Sequence, residues 1–117
     1  MDFRTHEDLE IRYYTDEWAP FYFDFVDSIP SGSVLSAVTV EAYSGKVTPR
    51  SDLAAETEVT ATIIDGDYVP TILDDTFVVV KFQYAAARKG EKATLIFKLT
   101  LDTGGMHPFY FYPVKVM

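Results

Sequence analysis

The stretch Lys92-Ala-Thr-Leu-Ile-Phe-Lys-Leu-Thr-Leu101 decides the class of fold. Thr94, Lys98 and Thr100 fall on one side of an extended chain, and Ala93, Leu95, Phe97, Leu99 and Leu101 fall on the other. A period of two with one apolar side marks a half-buried strand, because successive side chains of a strand point to opposite faces. Working outward, Thr76-Phe-Val-Val-Val-Lys-Phe-Gln-Tyr84 precedes it and Pro108-Phe-Tyr-Phe-Tyr-Pro-Val-Lys-Val116 follows. Gly90 and Gly104-Gly105 lie between these runs, so residues 76–117 are expected to form three long antiparallel strands joined by two glycine turns.

Further strands are expected upstream. In Phe21-Tyr-Phe-Asp-Phe25 the phenylalanines share one face, with Tyr22 and Asp24 on the other. Ile29-Pro-Ser-Gly-Ser33 has the composition of a turn. Val34 to Tyr43 is a second alternating run, with Val34, Val38, Val40 and Ala42 inward and Thr39, Glu41 and Tyr43 outward. Ser44 to Glu58 holds Gly45 and Pro49, which interrupt regular structure; Asp52 to Glu56 could make one helical turn, too short to stand alone. Glu58 to Ile64 reads as a strand with Val59, Ala61 and Ile63 on one side. Asp65-Gly66 signals a tight hairpin, and Tyr68 to Leu73 reads as a short edge strand, where Pro70 has no ladder bond to break. Turn signals about every ten residues and almost no helix point to an all-β antiparallel β-sandwich of about seven strands, with a small barrel as the alternative. Residues 1–15 are a charged arm or an edge strand around Leu9 to Tyr14, and 16–117 form a single sandwich domain.

Composition narrows the chemistry. The 117-residue chain has no cysteine, which excludes disulfides, thiolate metal sites and thiol nucleophiles. Nothing resembles a signal peptide or a membrane helix, so the expected location is the cytoplasm as synthesised, or a virion. The formal net charge is −8, a field that opposes nucleic-acid binding. Its distribution is uneven: residues 1–27 and 28–75 are each strongly acidic, whereas 76–117 hold Lys81, Arg88, Lys89, Lys92, Lys98 and Lys115 against Glu91 and Asp102. An acidic first strand beside that basic block would help set register. Arg88-Lys89-Gly90-Glu91-Lys92 reads as a solvated turn.

Catalytic motifs are missing. His6 lies in the arm and His107 beside Pro108, neither in a metal-protease or nucleophile-elbow context. Asp65, Asp67, Asp74 and Asp75 crowd a turn region but miss the spacing of a calcium loop. No enzyme activity, cofactor or metal is expected. The aromatic excess is more informative: nine Phe, eight Tyr and one Trp. In Phe109-Tyr-Phe-Tyr112 both faces of a strand are aromatic, so one pair must point away from the local core. The surplus, with one cluster at Trp18 and Phe21 to Phe25 and another at Phe109 to Tyr112, is a thick core, a contact surface formed by Tyr22, Tyr110 and Tyr112, or a stacking platform for sugars.

The run Phe23-Asp-Phe-Val-Asp-Ser-Ile-Pro-Ser-Gly-Ser-Val-Leu-Ser-Ala-Val-Thr-Val-Glu-Ala-Tyr43 resembles short phage and prophage structural proteins with one immunoglobulin-like domain, of the fibre–tail adaptor kind. The family's turn after the first strand has its counterpart in Ile29-Pro-Ser-Gly32 and its next strand in Val34 to Val40. Its closing hairpin corresponds to Thr103-Gly-Gly105 and its last strand to Val114-Lys-Val116. The likeness spans about residues 20–116. Ser33 replaces an aspartate of the pattern, and Gly90-Glu-Lys-Ala93 lacks the tyrosine that often follows such a glycine in sandwich corners. The resemblance implies a non-enzymatic virion component, tail- or fibre-associated, that binds a protein partner or itself. A carbohydrate-binding sandwich module is the alternative.

Overall fold

In a computed structural model, the chain is described over residues 3–5, 11–13, 20–48, 52–64, 69–82, 90–102 and 108–116. Eight strands occur there: β1 (Phe3–Thr5), β2 (Ile11–Tyr13), β3 (Phe21–Asp24), β4 (Leu35–Ser44), β5 (Thr71–Leu73), β6 (Phe77–Val80), β7 (Lys92–Leu101) and β8 (Phe109–Val116). One sheet has the order β4-β7-β8, and β1 and β2 both pair with the far edge of β8. The second sheet has the order β3-β6-β5. The protein is an all-β sandwich of these two sheets.

The deciding stretch forms β7 with the expected bounds. It pairs antiparallel with β4 through Val40–Phe97 and Ala42–Leu95, and with β8 through Leu95–Tyr112 and Phe97–Tyr110. The expected trio of strands is nevertheless divided. β7 and β8 are neighbours, but β6 lies in the other sheet, so the chain crosses the sandwich between Val80 and Lys92. Val78, Val79 and Val80 are all buried. A run without alternation suits a strand covered on both faces, and β6 is the central strand of its sheet.

Aromatic rings fill the space between the sheets. Phe23 and Phe25 from one side meet Phe97, Tyr110 and Tyr112 from the other, with centroid separations from 4.7 to 6.0 Å in tilted or edge-on geometry. Such pairs add about 0.5–1.5 kcal/mol each beyond area burial. Leu95, Leu99, Leu101, Val78 and Val80 complete the core.

A second cluster covers the outside of the larger sheet. Tyr43, Val47, Ile96 and Phe111 are buried there, with Leu53 and Phe109 packed against them. Tyr43 faces outward as expected, but it is covered there. Phe109 and Phe111, the former half-buried and the latter buried, are the pair of the doubled aromatic run that turns away from the main core, and they too find cover. The segment after β4 supplies it, held by Thr94: the Thr94 hydroxyl accepts from the Val47 N–H at 3.0 Å and donates to the Gly45 carbonyl at 2.9 Å. Gly45 has φ +77°, a left-handed conformation that glycine adopts without penalty.

Glu58 to Ile64 is not a strand. Glu58 and Ile64 make single bridges to Tyr43 and Phe82, and between them Thr60–Ile63 form one helical turn, α1. Val59 and Ile63 share a face in either conformation, at i, i+2, i+4 of a strand or i, i+4 of a helix. Both are buried, whereas Ala61 is exposed. The edge of β4 selects the helix: Ala42 C=O accepts from Val59 N–H at 2.7 Å, and Ala42 N–H donates to the Thr60 hydroxyl at 2.9 Å. With both groups of Ala42 taken, the ladder ends there.

The N-terminal region pairs in parallel. Phe3–Thr5 align with Phe109–Phe111, and Ile11–Tyr13 with Val114–Val116. Of the edge strand expected around Leu9 to Tyr14, the described part is Ile11–Tyr13, and it has a companion in β1. Arg12 sits opposite Lys115 in the register, so that position does not oppose acid to base as the charge count suggests. Glu7, Asp8 and Glu10 lie outside the described residues. Lys98 does find an acidic partner, Glu41 on β4, at 2.7 Å.

Candidate functional site

The three-stranded sheet positions the candidate site. Cross-strand partners share a face, and the register gives two rows on its outer side, Tyr22–Val79–Thr71 and Asp24–Phe77–Leu73. Phe23, Val78, Val80 and Ile72 point the other way, into or against the core. On the outer side Tyr22 is 59% exposed and Leu73 46% exposed, with Phe77 half-buried between the strands. Val69, just before β5, is 76% exposed. The Asp24 carboxylate is fixed locally, accepting from Val26 N–H at 2.9 Å and from the Thr76 hydroxyl at 3.3 Å. Val79, at the centre of this face, is 5% exposed, so the open apolar and phenolic surface lies at its margins, at Tyr22 and Leu73, with one anchored acid at the rim.

The three tyrosines expected to form a contact surface do not come together. Tyr22 is on this outer face; Tyr110 is 1% and Tyr112 7% exposed, both inside the sandwich. Their strand, β8, turns its even-numbered residues toward Phe23 and Phe25, and stacking there outweighs the hydroxyl's need for water. The Tyr110 hydroxyl donates to the Ser28 carbonyl, which ties the β3–β4 connection to β8. Trp18 lies outside the described residues. The sequence reading missed Leu73 and Val69, although the alternation Thr71-Ile-Leu73 carries the signal: inward Ile72 makes Leu73 outward.

Among the described residues, two phenols are shifted. Burial, and to a lesser extent Tyr110, pushes the Tyr112 phenol up to about 12 from its ordinary value near 10. Burial followed by the carboxylates of Glu41 and Glu58 raises that of Tyr43, whose hydroxyl donates to Glu41 at 3.3 Å. Both stay protonated near neutrality, which suits hydrogen-bond donors and not bases. Among the described residues, no group of three or more His, Cys, Asp or Glu could hold a metal ion. Asp65 and Asp67 lie outside those residues, as do His6 and His107. Asp74 and Asp75 instead form the β5–β6 turn, with φ of 50° and 67°.

A second feature lies at the end of the larger sheet, beside the start of β7. A cleft of about 180 Å³ opens there, lined by Gly45, Lys46, Lys92, Ala93, Thr94, Pro113 and Val114. Lys92 and Lys115 are direct cross-strand partners, an arrangement that costs stability through like-charge repulsion. No helix among the described residues is long and apolar enough to cross a membrane. No protein family, curated protein or solved structure matches the chain.

Proposed function

We propose that this chain is a non-enzymatic structural or interaction protein, a small prophage-encoded virion component of immunoglobulin-like fold. It binds a protein partner through the outer face of β3-β6-β5. The strand order supports the fold reading. β4, β7 and β8 correspond to the C, F and G strands of an immunoglobulin sandwich, β3, β6 and β5 to its B, E and D strands. The virion assignment draws on the resemblance of residues 20–116 to short phage structural proteins.

The observation that carries the binding reading is the exposed Tyr22, diagonal to Phe77 across β3 and β6 and sharing its sheet face with the exposed Leu73. Tyrosine gives a large contact area at little entropic cost and is enriched where partners meet. A photo-crosslinking phenylalanine analogue at Tyr22, introduced in the host that produces the particles, tests it. The expected result is the chain in purified particles, crosslinked to a particle protein from Tyr22 and not from the exposed control position Thr39. Purified particles that lack the chain would refute the virion role; equal crosslinking from both positions would refute the binding face.

A further inference from the structure

Backbone pairing leaves one edge of the smaller sheet open. Phe25 N–H donates to Thr76 C=O at 3.0 Å, which continues the β3–β6 register as a bonded pair. Bonded and unbonded pairs alternate along an antiparallel ladder, so Phe23–Val78 and Phe21–Val80 are bonded, and Tyr22–Val79 and Asp24–Phe77 are not. The N–H and C=O groups of Tyr22 and Asp24 therefore point away from β6. Among the described residues these groups have no partner. Tyr22 and Asp24 are both exposed, and a spacing of two residues sets their groups about 7 Å apart along the edge.

The edges of β4 and β5 offer less. On β4, Leu35 N–H donates to Asp75 C=O, and Ala42 C=O accepts from Val59 N–H. Between those bonds Val38 and Val40 point outward by the same alternation, but Val40 is 6% exposed. In β5, Thr71 and Leu73 bond to Val79 and Phe77. That leaves Ile72 alone pointing outward, and one residue is too few to hold a strand.

We propose that β3 takes up an extended segment of a partner protein as a fourth strand of this sheet, a lysine or arginine of that segment lying beside Asp24. The proposal rests on the outer face of β3-β6-β5 being the binding face and adds how a partner is held there. An extended backbone presents donors and acceptors at the spacing of the open edge, whereas a helix spends its own internally. On the outer face, side chains of the added strand would lie next to Tyr22 and Asp24. The Tyr22 ring offers contact area to an apolar or aromatic neighbour. The Asp24 carboxylate is held in place by the Val26 N–H and the Thr76 hydroxyl. It has no ion-pair partner among the described residues, so a cation opposite it is favoured and a like charge is opposed. The same carboxylate, with the chain's net charge of −8, opposes a second copy as the occupant.

Short peptides selected on the full chain from a displayed random library are the probe, and synthetic copies give their affinities by calorimetry. N-methyl groups are placed one at a time along the backbone of the tightest peptide. They should weaken binding about tenfold at alternate residues, those whose N–H faces β3, and less than about threefold at the residues between. The selected peptides should carry a lysine or arginine, and exchanging it for glutamate should weaken binding about fivefold or more. Tyr22→Ala removes the ring and keeps the N–H. Tyr22→Pro removes both, at an edge position whose N–H the fold does not use, and circular dichroism checks that each variant folds. Proline should weaken binding about tenfold beyond alanine. Binding that survives N-methylation at every residue overturns the proposal; if Tyr22→Ala still weakens that binding, the outer face stands as the contact surface. Binding indifferent to both Tyr22 variants overturns the proposal and the choice of face together. A selection that yields no peptide, or peptides without a cation, overturns the proposal as well. So does self-association abolished by Tyr22→Pro, which would make a second copy the occupant.

Discussion

Replacing Thr94 by valine probes the reading of the second cluster with a near-isosteric change. Thr94 is 3% exposed and Val47, whose N–H it accepts, is 2% exposed. Removing the hydroxyl strands a buried N–H, which costs about 1–3 kcal/mol. The lost bond to the partly accessible Gly45 carbonyl adds about 0.5–1 kcal/mol. The methyl group gained in exchange returns about 0.8 kcal/mol. The balance is a destabilisation of about 2 kcal/mol. For a chain of this size that corresponds to a melting temperature about 8 °C lower. With a urea slope of about 1.5 kcal/mol/M the midpoint should fall by about 1.3 M at unchanged slope. Urea titration followed by far-ultraviolet circular dichroism measures this, and Thr94→Ser, which keeps the hydroxyl, should lose less than about 1 kcal/mol. A threonine facing solvent on a half-buried strand predicts the opposite: a change within about 0.5 kcal/mol, since both residues favour strands. An unchanged or raised midpoint for Thr94→Val would refute the buried-hydroxyl account and, with it, the covered outer face of β7.

Phe25→Ala removes a fully buried ring that meets Phe97, Tyr110 and Tyr112 and should cost about 3–5 kcal/mol in the same titration. Tyr22→Ala, on the outer face, should change stability by no more than about 0.5 kcal/mol. Tyr112 adds a dependence on alkali. Its folded-state value is raised to about 12, so above pH 10 the unfolded chain releases a proton that the folded chain keeps. Its contribution is therefore complete below pH 10 and is lost as pH rises from 10 towards 12. Tyr112→Phe should flatten the fall in melting temperature across that window, and an equally steep fall in the variant would rule out Tyr112 as its source.

Much of the fold is written in local pattern. Lys92 to Leu101 alternates, and it forms a strand with those bounds because one apolar side is enough to hold it on a core. Pro70 and the short Thr71–Leu73 strand lie at a sheet edge, where a missing N–H costs nothing. Pattern fails where two geometries satisfy the same residues. Val59 and Ile63 share a face in strand and helix alike, and only the spent hydrogen bonds of Ala42 on β4 choose between them. The candidate site was legible in part. Alternation puts Tyr22 opposite Phe21 and Phe23, hence outward, but Tyr110 and Tyr112 lie in a run that is aromatic on both faces. No local rule says which pair turns inward.

By itself, then, the sequence determined an all-β chain, its principal strands and an uneven charge along its length, because period, turn residues and charge are properties of neighbours in the chain. The tertiary structure alone decided how that material was divided. It separated Phe77–Val80 from Lys92–Leu101 into different sheets and put Tyr110 and Tyr112 inside. It also buried Phe111 under Val47. These outcomes depend on which surfaces meet across the sandwich, and burial between distant segments is a property of the pair, carried by neither segment alone.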